Sequence, residues 1–304
     1  MTRAEIPLDG PLDLRATLGP LARGPRDPSI RFTSDGAWLA LRRADGPVTV
    51  HVSVRSERVA AEAWGPGAAE LDSWFAGLLG MGPGMMRSGD LVDAPDRVIA
   101  DLARRRPGIR IPASQAVLDA LVPAVLEQKV TGAEAKRAWY GLLQAHGEPA
   151  PGPAAGTLRS SPRPETLARL PYYAFHPLGV EQRRADLIRG IAKRAAWFEA
   201  TTAMSPMDAA TRLRSVPGIG PWTAAEVAVR ALGDHDAVSV GDFHLPHLVT
   251  WVLAREPRGD DDRMLGLLAP YAGRRALVIR LLETSGIRAP RYGPRLAPRG
   301  IQDL

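Results

Sequence analysis

The 304-residue sequence predicts an α+β protein: a small antiparallel β-sheet with helices, followed by an all-α bundle. Two observations carry this. Within residues 1–90, apolar and polar residues alternate over short runs separated by Asp-Gly pairs, as in half-buried strands joined by tight turns. From Asp93 onward, apolar residues recur at three- and four-residue intervals instead, the period of amphipathic helices. A hydrophobic content of 45% is enough to fill the cores of two or three compact units. The expected division is 1–90 for the α+β part, 91–286 for the helical part and 287–304 for an Arg/Pro-rich tail.

The strands are expected at residues 29–33, 37–41, 48–54 and 59–64, with turns at Asp35-Gly36 and Asp45-Gly46. His51 falls on the third of them and is read as a half-buried or surface residue. Residues 68–79 form an amphipathic helix through Leu71, Trp74, Phe75 and Leu78. A glycine-rich linker, 80–89, leads into the helical part. There, residues 94–106 make one helix, stopped by Pro107-Gly108. Pro112 and Ser114 introduce the next, with Val117, Leu118, Leu121, Val122 and Val125 as its apolar face. Residues 132–144 follow, with Trp139, Leu142 and Leu143 inward. The Pro/Gly/Ser-rich segment 147–165 reads as a surface loop. Residues 179–200 read as one long helix whose Arg183, Arg184, Arg189 and Arg194 form a solvated face. Helices at 242–253 and 271–283 complete the bundle. The tail alternates proline with arginine; packing in extended form, tracking a polyanion and disorder all remain open.

The formal net charge is +6 and the pI about 10.1, which suits a polyanionic partner, although arginine richness also follows from base composition alone. The basic charge is nearly all arginine, since Lys129, Lys136 and Lys193 are the only lysines. There is no cysteine, which excludes a disulfide framework, a cysteine zinc site and a cysteine-ligated iron–sulfur cluster. No apolar run is long enough for a membrane helix, and the first residues lack a signal-peptide core, so a cytoplasmic location is expected.

The chemistry is concentrated in residues 213–245. Ser205-Pro206 can start a short helix that Arg212 and Arg214 suit at its C-terminus. Val216-Pro217-Gly218-Ile219-Gly220-Pro221 follows. Two glycines two apart allow a tight hairpin between helices, and Pro221 can start the second, which Gly233 stops. Such a hairpin lets a phosphate approach the amides of Gly218, Gly220 and the new helix end. After an extended piece, 237–240, comes Gly241-Asp242-Phe243. His235, Asp236, Asp242, His244 and His247 crowd this region, but Pro246 interrupts the His244-x-x-His247 turn and no further pair supports a transition metal.

The run Pro217-Gly218-Ile219-Gly220-Pro221-Trp222-Thr223-Ala224, followed by Asp242, resembles the helix–hairpin–helix (HhH-GPD) DNA glycosylases, in particular their 3-methyladenine DNA glycosylase II branch. That branch also carries an N-terminal β-rich domain. The resemblance implies base excision repair of double-stranded DNA by a protein that flips out an alkylated purine and hydrolyses its glycosidic bond. Asp242 falls on the family's catalytic aspartate; by itself the residue also suits a helix N-cap. Trp222 stands where bifunctional relatives keep a sugar-attacking lysine, so no AP-lyase activity is expected. Trp222 and Phe243 are candidate walls of the base pocket, or core residues. Glu226, an aromatic in the best-known relatives, either meets a base edge or pairs with Arg230 on solvent. Pro217, Gly218, Ile219, Gly220 and Thr223 are the implied DNA contacts of the hairpin. Gln128 and Lys129 fall on the loop that wedges into the duplex, or cap a helix. The family's hairpin holds a monovalent cation through carbonyls that match Arg214, Val216 and Ile219; no other cofactor, and no iron–sulfur cluster, is implied. A monomer is expected. The rival readings are a glycosylase for an oxidised or deaminated base, and a hairpin protein that binds DNA without catalysis.

Overall fold

The computed structural model describes residues 1–290; most of the Arg/Pro-rich tail, 291–304, lies outside the described residues. Five strands form one antiparallel sheet: β1 (Thr2–Pro7), β2 (Ile30–Phe32), β3 (Ala37–Arg43), β4 (Gly46–Arg55) and β5 (Arg58–Trp64), in the order β1-β5-β4-β3-β2. The register pairs Leu39 with Val50 and Leu41 with Val48, so the alternation in both strands puts their apolar residues on one face. Helix α1 (Leu14–Leu18) lies between β1 and β2 in the chain, and helix α2 (Leu71–Leu78) follows β5. Leu71, Trp74, Phe75 and Leu78 of α2 close that face. Strand β1 was not expected. Only Ala4 and Ile6 face the core, and it pairs on one side only, with β5, so its pattern is too short to read.

The segment 147–165 is not a free surface loop. It folds into a small hairpin of β6 (Glu148–Pro149) and β7 (Arg159–Ser160), and Ala150, Ala154 and Leu158 pack against Ala40 on the second face of the sheet. Proline and glycine signal turns but not what the turns rest on. On the same side, His51 stacks on Trp38 with ring centroids 4.2 Å apart.

The helical part begins with α3 (Arg97–Arg105), α4 (Val117–Leu126) and α5 (Gly132–His146). It continues with α6 (Pro164–Arg169), α7 (Tyr172–Phe175), α8 (Gln182–Ala192) and α9 (Ala195–Glu199). Next come α10 (Pro206–Arg214) and α11 (Pro221–Val227), which runs into a π-turn (Ala228–Leu232), then α12 (Leu245–Ala254), α13 (Asp261–Leu268) and α14 (Arg275–Thr284). No described helix is long and apolar enough to cross a membrane. The expected helix at 179–200 is broken at Lys193-Arg194. The break turns Phe198 into the core, and the Arg194 guanidinium lies over the Trp197 and Phe198 rings. Arg184, expected on a solvated face, is buried and donates to the Leu126 carbonyl at 2.8 Å. Helix α13 was also not expected.

The helices build two separate apolar cores. Helices α4 to α11 share one, centred on Leu121, Val125, Leu142, Ile188 and Val227. The other joins α3 to α12, α13 and α14 through Ile99, Val249, Met264 and Leu281, with Ala16 of α1. Two buried carboxylates tie α4 in place. Asp119 accepts from the Arg42 amide at 2.6 Å and from the Ser161 hydroxyl; burial pushes it up to about 6. Glu199 accepts from the Val117 and Leu118 amides at 3.0 and 2.9 Å, capping α4 from another helix; burial pushes it up to about 7.

Candidate active site

Ser205 caps α10 by accepting from the Asp208 amide at 3.2 Å. The turn that follows closes when the Ile219 amide donates to the Val216 carbonyl at 3.0 Å. Val216 and Ile219 drop their side chains into the core shared by α4 to α11, while Pro217 and Gly218 stay on the surface. Ile219 can therefore offer an external ligand only its backbone. Gly218 has φ +96°, and a Cβ there would meet Leu187 at 2.9 Å, so this position demands glycine. Gly220 differs: its φ is ordinary, and a Cβ would meet nothing within 4 Å. The fold itself does not require glycine there. What the missing side chain leaves is open surface at the first turn of α11, where helix amides lack intrahelical acceptors. Gly233, at φ +71°, ends the π-turn as expected.

Asp242 stands just before α12. One carboxylate oxygen accepts from the His244 and Leu245 amides at 2.7 and 2.8 Å, so it does cap the helix. The other oxygen accepts from the Trp222 indole N–H at 3.0 Å. Capping and exposure to a ligand thus coexist on one side chain, which is only partly buried. Phe243 is 71% exposed, with its ring edge-on to His244 and His247. It is therefore not a core residue. His247 is already engaged, its Nδ1 accepting from the Gly259 amide at 3.1 Å.

Glu226 is neither on solvent nor open to a base edge. Its carboxylate is bonded to Arg230 one turn along the helix and accepts from the Ser239 hydroxyl at 2.7 Å; both members of the ion pair are largely buried. Burial works to lower the Arg230 guanidinium, but the carboxylates of Glu226, Glu127 and Glu283 outweigh it and raise it. Thr223 is also inside, at 2% exposure, so it does not present a side chain to DNA. Its hydroxyl accepts from the Gln128 amide at 2.9 Å, and the same amide donates to the Gly218 carbonyl at 3.0 Å. Gln128 thus fastens the turn after α4 to the hairpin instead of projecting from it. Lys129, next in the chain, is exposed and held at φ +55°, a left-handed conformation that costs a non-glycine residue roughly 1–2 kcal/mol.

Two residues with a structural claim on the site carried no local signal. Asp261 accepts from the Gly241 amide at 3.1 and 3.0 Å, and Ser239 reaches Glu226. Both depend on contacts across the fold that no motif announces.

A tight hairpin and a fixed carboxylate therefore meet where two helical cores adjoin. The chain superposes on a 3-methyladenine DNA-glycosylase from Archaeoglobus fulgidus with a TM-score of 0.76, over 93% of this chain and 98% of that one, at 18% identity. MBOgg1, solved with a low-affinity DNA ligand, gives a TM-score of 0.69 over 93% of this chain and 94% of that one, at 16% identity. In sequence, the chain is 31% identical to DNA-3-methyladenine glycosylase 2 of Escherichia coli over 166 residues, 52% of this chain and 57% of that protein. It is 30% identical over 142 residues, 46% of this chain, to a probable bifunctional transcriptional activator/DNA repair enzyme AlkA of Mycobacterium tuberculosis, of which the match spans 28%. No family model matches the chain. The chain thus shares its fold with known DNA glycosylases and resembles 3-methyladenine glycosylases in sequence over part of its length, spanning 57% and 28% of the two curated relatives.

Proposed function

We propose that this protein is a monofunctional DNA glycosylase that hydrolyses the glycosidic bond of alkylated purines in duplex DNA. The observation that carries the reading is the Asp242 carboxylate, held by two backbone amides and the Trp222 indole N–H beside an open hairpin. As the base departs, positive charge develops on the sugar. A carboxylate already fixed in orientation stabilises that charge without reorganising and can orient the attacking water. The Trp222 N–H lies in the ring plane, so its bond to Asp242 leaves the ring faces available to stack on a flipped base. That contact is strongest for a purine made cationic by alkylation.

The hairpin supplies the grip. The open surface at Gly220 lets a phosphate approach the amides at the start of α11. Lys129 is the exposed member of the wedge loop, with Gln128 as its anchor. The carbonyls of Arg214, Val216 and Ile219 are oxygen donors suited to a monovalent cation. Arg214 ends α10, where a helix leaves carbonyls unsatisfied, and such an ion would lend positive charge to the phosphate site. The test is base release from duplexes carrying methylated, oxidised or deaminated bases, with Asp242→Asn as control. Release of methylpurines by the wild type, abolished by the substitution, is expected. Release confined to oxidised or deaminated bases would overturn the substrate class, and no release from any duplex would overturn the enzyme reading.

A further inference from the structure

We infer that Glu226 and Ser239 form a positioning pair that sets the geometry of the Asp242 loop, an inference that rests on the glycosylase reading above. Glu226 sits on α11, one turn after Trp222. Ser239 lies three residues before Asp242, on the segment that leads to it, and is 8% exposed. The Ser239 hydroxyl donates to Glu226 at 2.7 Å, and the Ser239 carbonyl accepts from the Asp242 amide at 3.2 Å. Glu226 thus holds one end of a four-residue arc and Trp222, from the same helix, holds the other. Both ends of the arc are referred to a single rigid element.

The other oxygen of Glu226 is bonded to Arg230, and Arg230 Nε donates to the Pro20 carbonyl at 2.8 Å. Arg23 stands near this pair and is itself bonded to Glu127 at 3.1 Å, immediately before Gln128 and Lys129. The buried charges therefore reach from the turn after α4 to the Asp242 segment. A carboxylate held in this way has little freedom to follow a moving loop, so the loop conforms to the carboxylate. A polar side chain at 226, where an aromatic could have walled the base pocket, is explained by this second task.

Ser239→Ala removes the tether without stranding a buried charge, and Glu226→Gln keeps the shape and an acceptor while uncoupling Arg230. Each is assayed for single-turnover methylpurine release and KM on duplex DNA treated with dimethyl sulfate. The resonance of the Trp222 indole proton, assigned with Trp222→Phe, reports its bond to Asp242 independently of turnover. Ser239→Ala is expected to lower the release rate roughly tenfold to a hundredfold, the scale of a misplaced catalytic group, with KM unchanged. The Trp222 resonance should move, Ser239→Thr should restore both, and the Ser239→Ala/Glu226→Gln pair should be less than additive. An unmoved resonance in folded Ser239→Ala, or a full release rate, overturns the pairing. If the wild type releases no base, the glycosylase reading fails, and the indole resonance alone decides the positioning.

Discussion

The indole nitrogen of Trp222 lies 3.0 Å from a carboxylate oxygen of Asp242, and this bond links the two halves of the helical region. Trp222 belongs to α11, which packs in the core around α4; Asp242 starts α12, which packs with α3 and α14. The candidate site is therefore the seam between two cores. Its geometry depends on how they dock, not on either alone.

Asp242→Asn should abolish base release while leaving binding to duplex DNA intact. The amide can still accept from His244 and Leu245, so the helix cap persists and the charge is what disappears. Release at the wild-type rate would remove Asp242 from the chemistry.

The two roles of Trp222 can be separated. Trp222→Phe keeps a stacking face but loses the N–H, and is expected to slow release roughly tenfold, the worth of one hydrogen bond to a carboxylate. Trp222→Ala should in addition lose about 1–3 kcal/mol of binding to a duplex with an alkylated base, relative to undamaged duplex. Equal weakening on both duplexes would assign Trp222 to structure only.

At the hairpin, replacing Gly220 with leucine should preserve the fold, because a Cβ there meets nothing within 4 Å and the backbone φ is ordinary. Affinity should nevertheless fall on every duplex alike, since phosphate contacts carry no sequence information. Circular dichroism with binding isotherms on damaged and undamaged DNA checks this. A loss restricted to one lesion would contradict it.

The buried carboxylates predict a pH dependence of stability. Glu199 titrates near 7 in the folded chain, above its ordinary value near 4, so the folded state binds the extra proton between those values. Its contribution is fully present below about pH 4 and is lost as pH rises through 7. Asp119, raised to about 6, acts in the same direction. The denaturation midpoint of the wild type should therefore fall from pH 4.5 to 7.5 relative to Glu199→Gln. A constant difference between the two curves would refute the assignment.

Strand cleavage provides the last test. A lyase needs an amine that forms a Schiff base with the sugar, and α11 offers Trp222 and no lysine beside Asp242. Borohydride is expected to trap no covalent adduct on a duplex from which base is released. An adduct that vanishes in Lys129→Ala would identify the wedge-loop lysine as a nucleophile and reverse the hydrolytic assignment.

The sequence by itself determined whatever is written in short periods. The α+β class followed from the alternation in Val48, Val50 and Val52 and the helical spacing beyond Asp93. The starts of α10 and α11 and the end of the π-turn followed from Ser205, Pro221 and Gly233, because caps and turns act within a few residues. Tertiary structure alone decided what lies across the chain. Glu226 has the same i,i+4 relation to Arg230 whether exposed or buried, and only the approach of Ser239 and the packing behind it make it an interior charge. Gln128 falls on the loop that the resemblance implies as a wedge, yet the Gly218 carbonyl and the Thr223 hydroxyl, some ninety residues away, take up its amide. The segment 147–165 reads as loop from its prolines and glycines, and becomes part of a core because the second face of the sheet is apolar enough at Ala40 to receive it. Local preference is fixed by neighbours along the backbone. Burial and pairing are fixed by which surfaces meet, and that is encoded only in the chain as a whole.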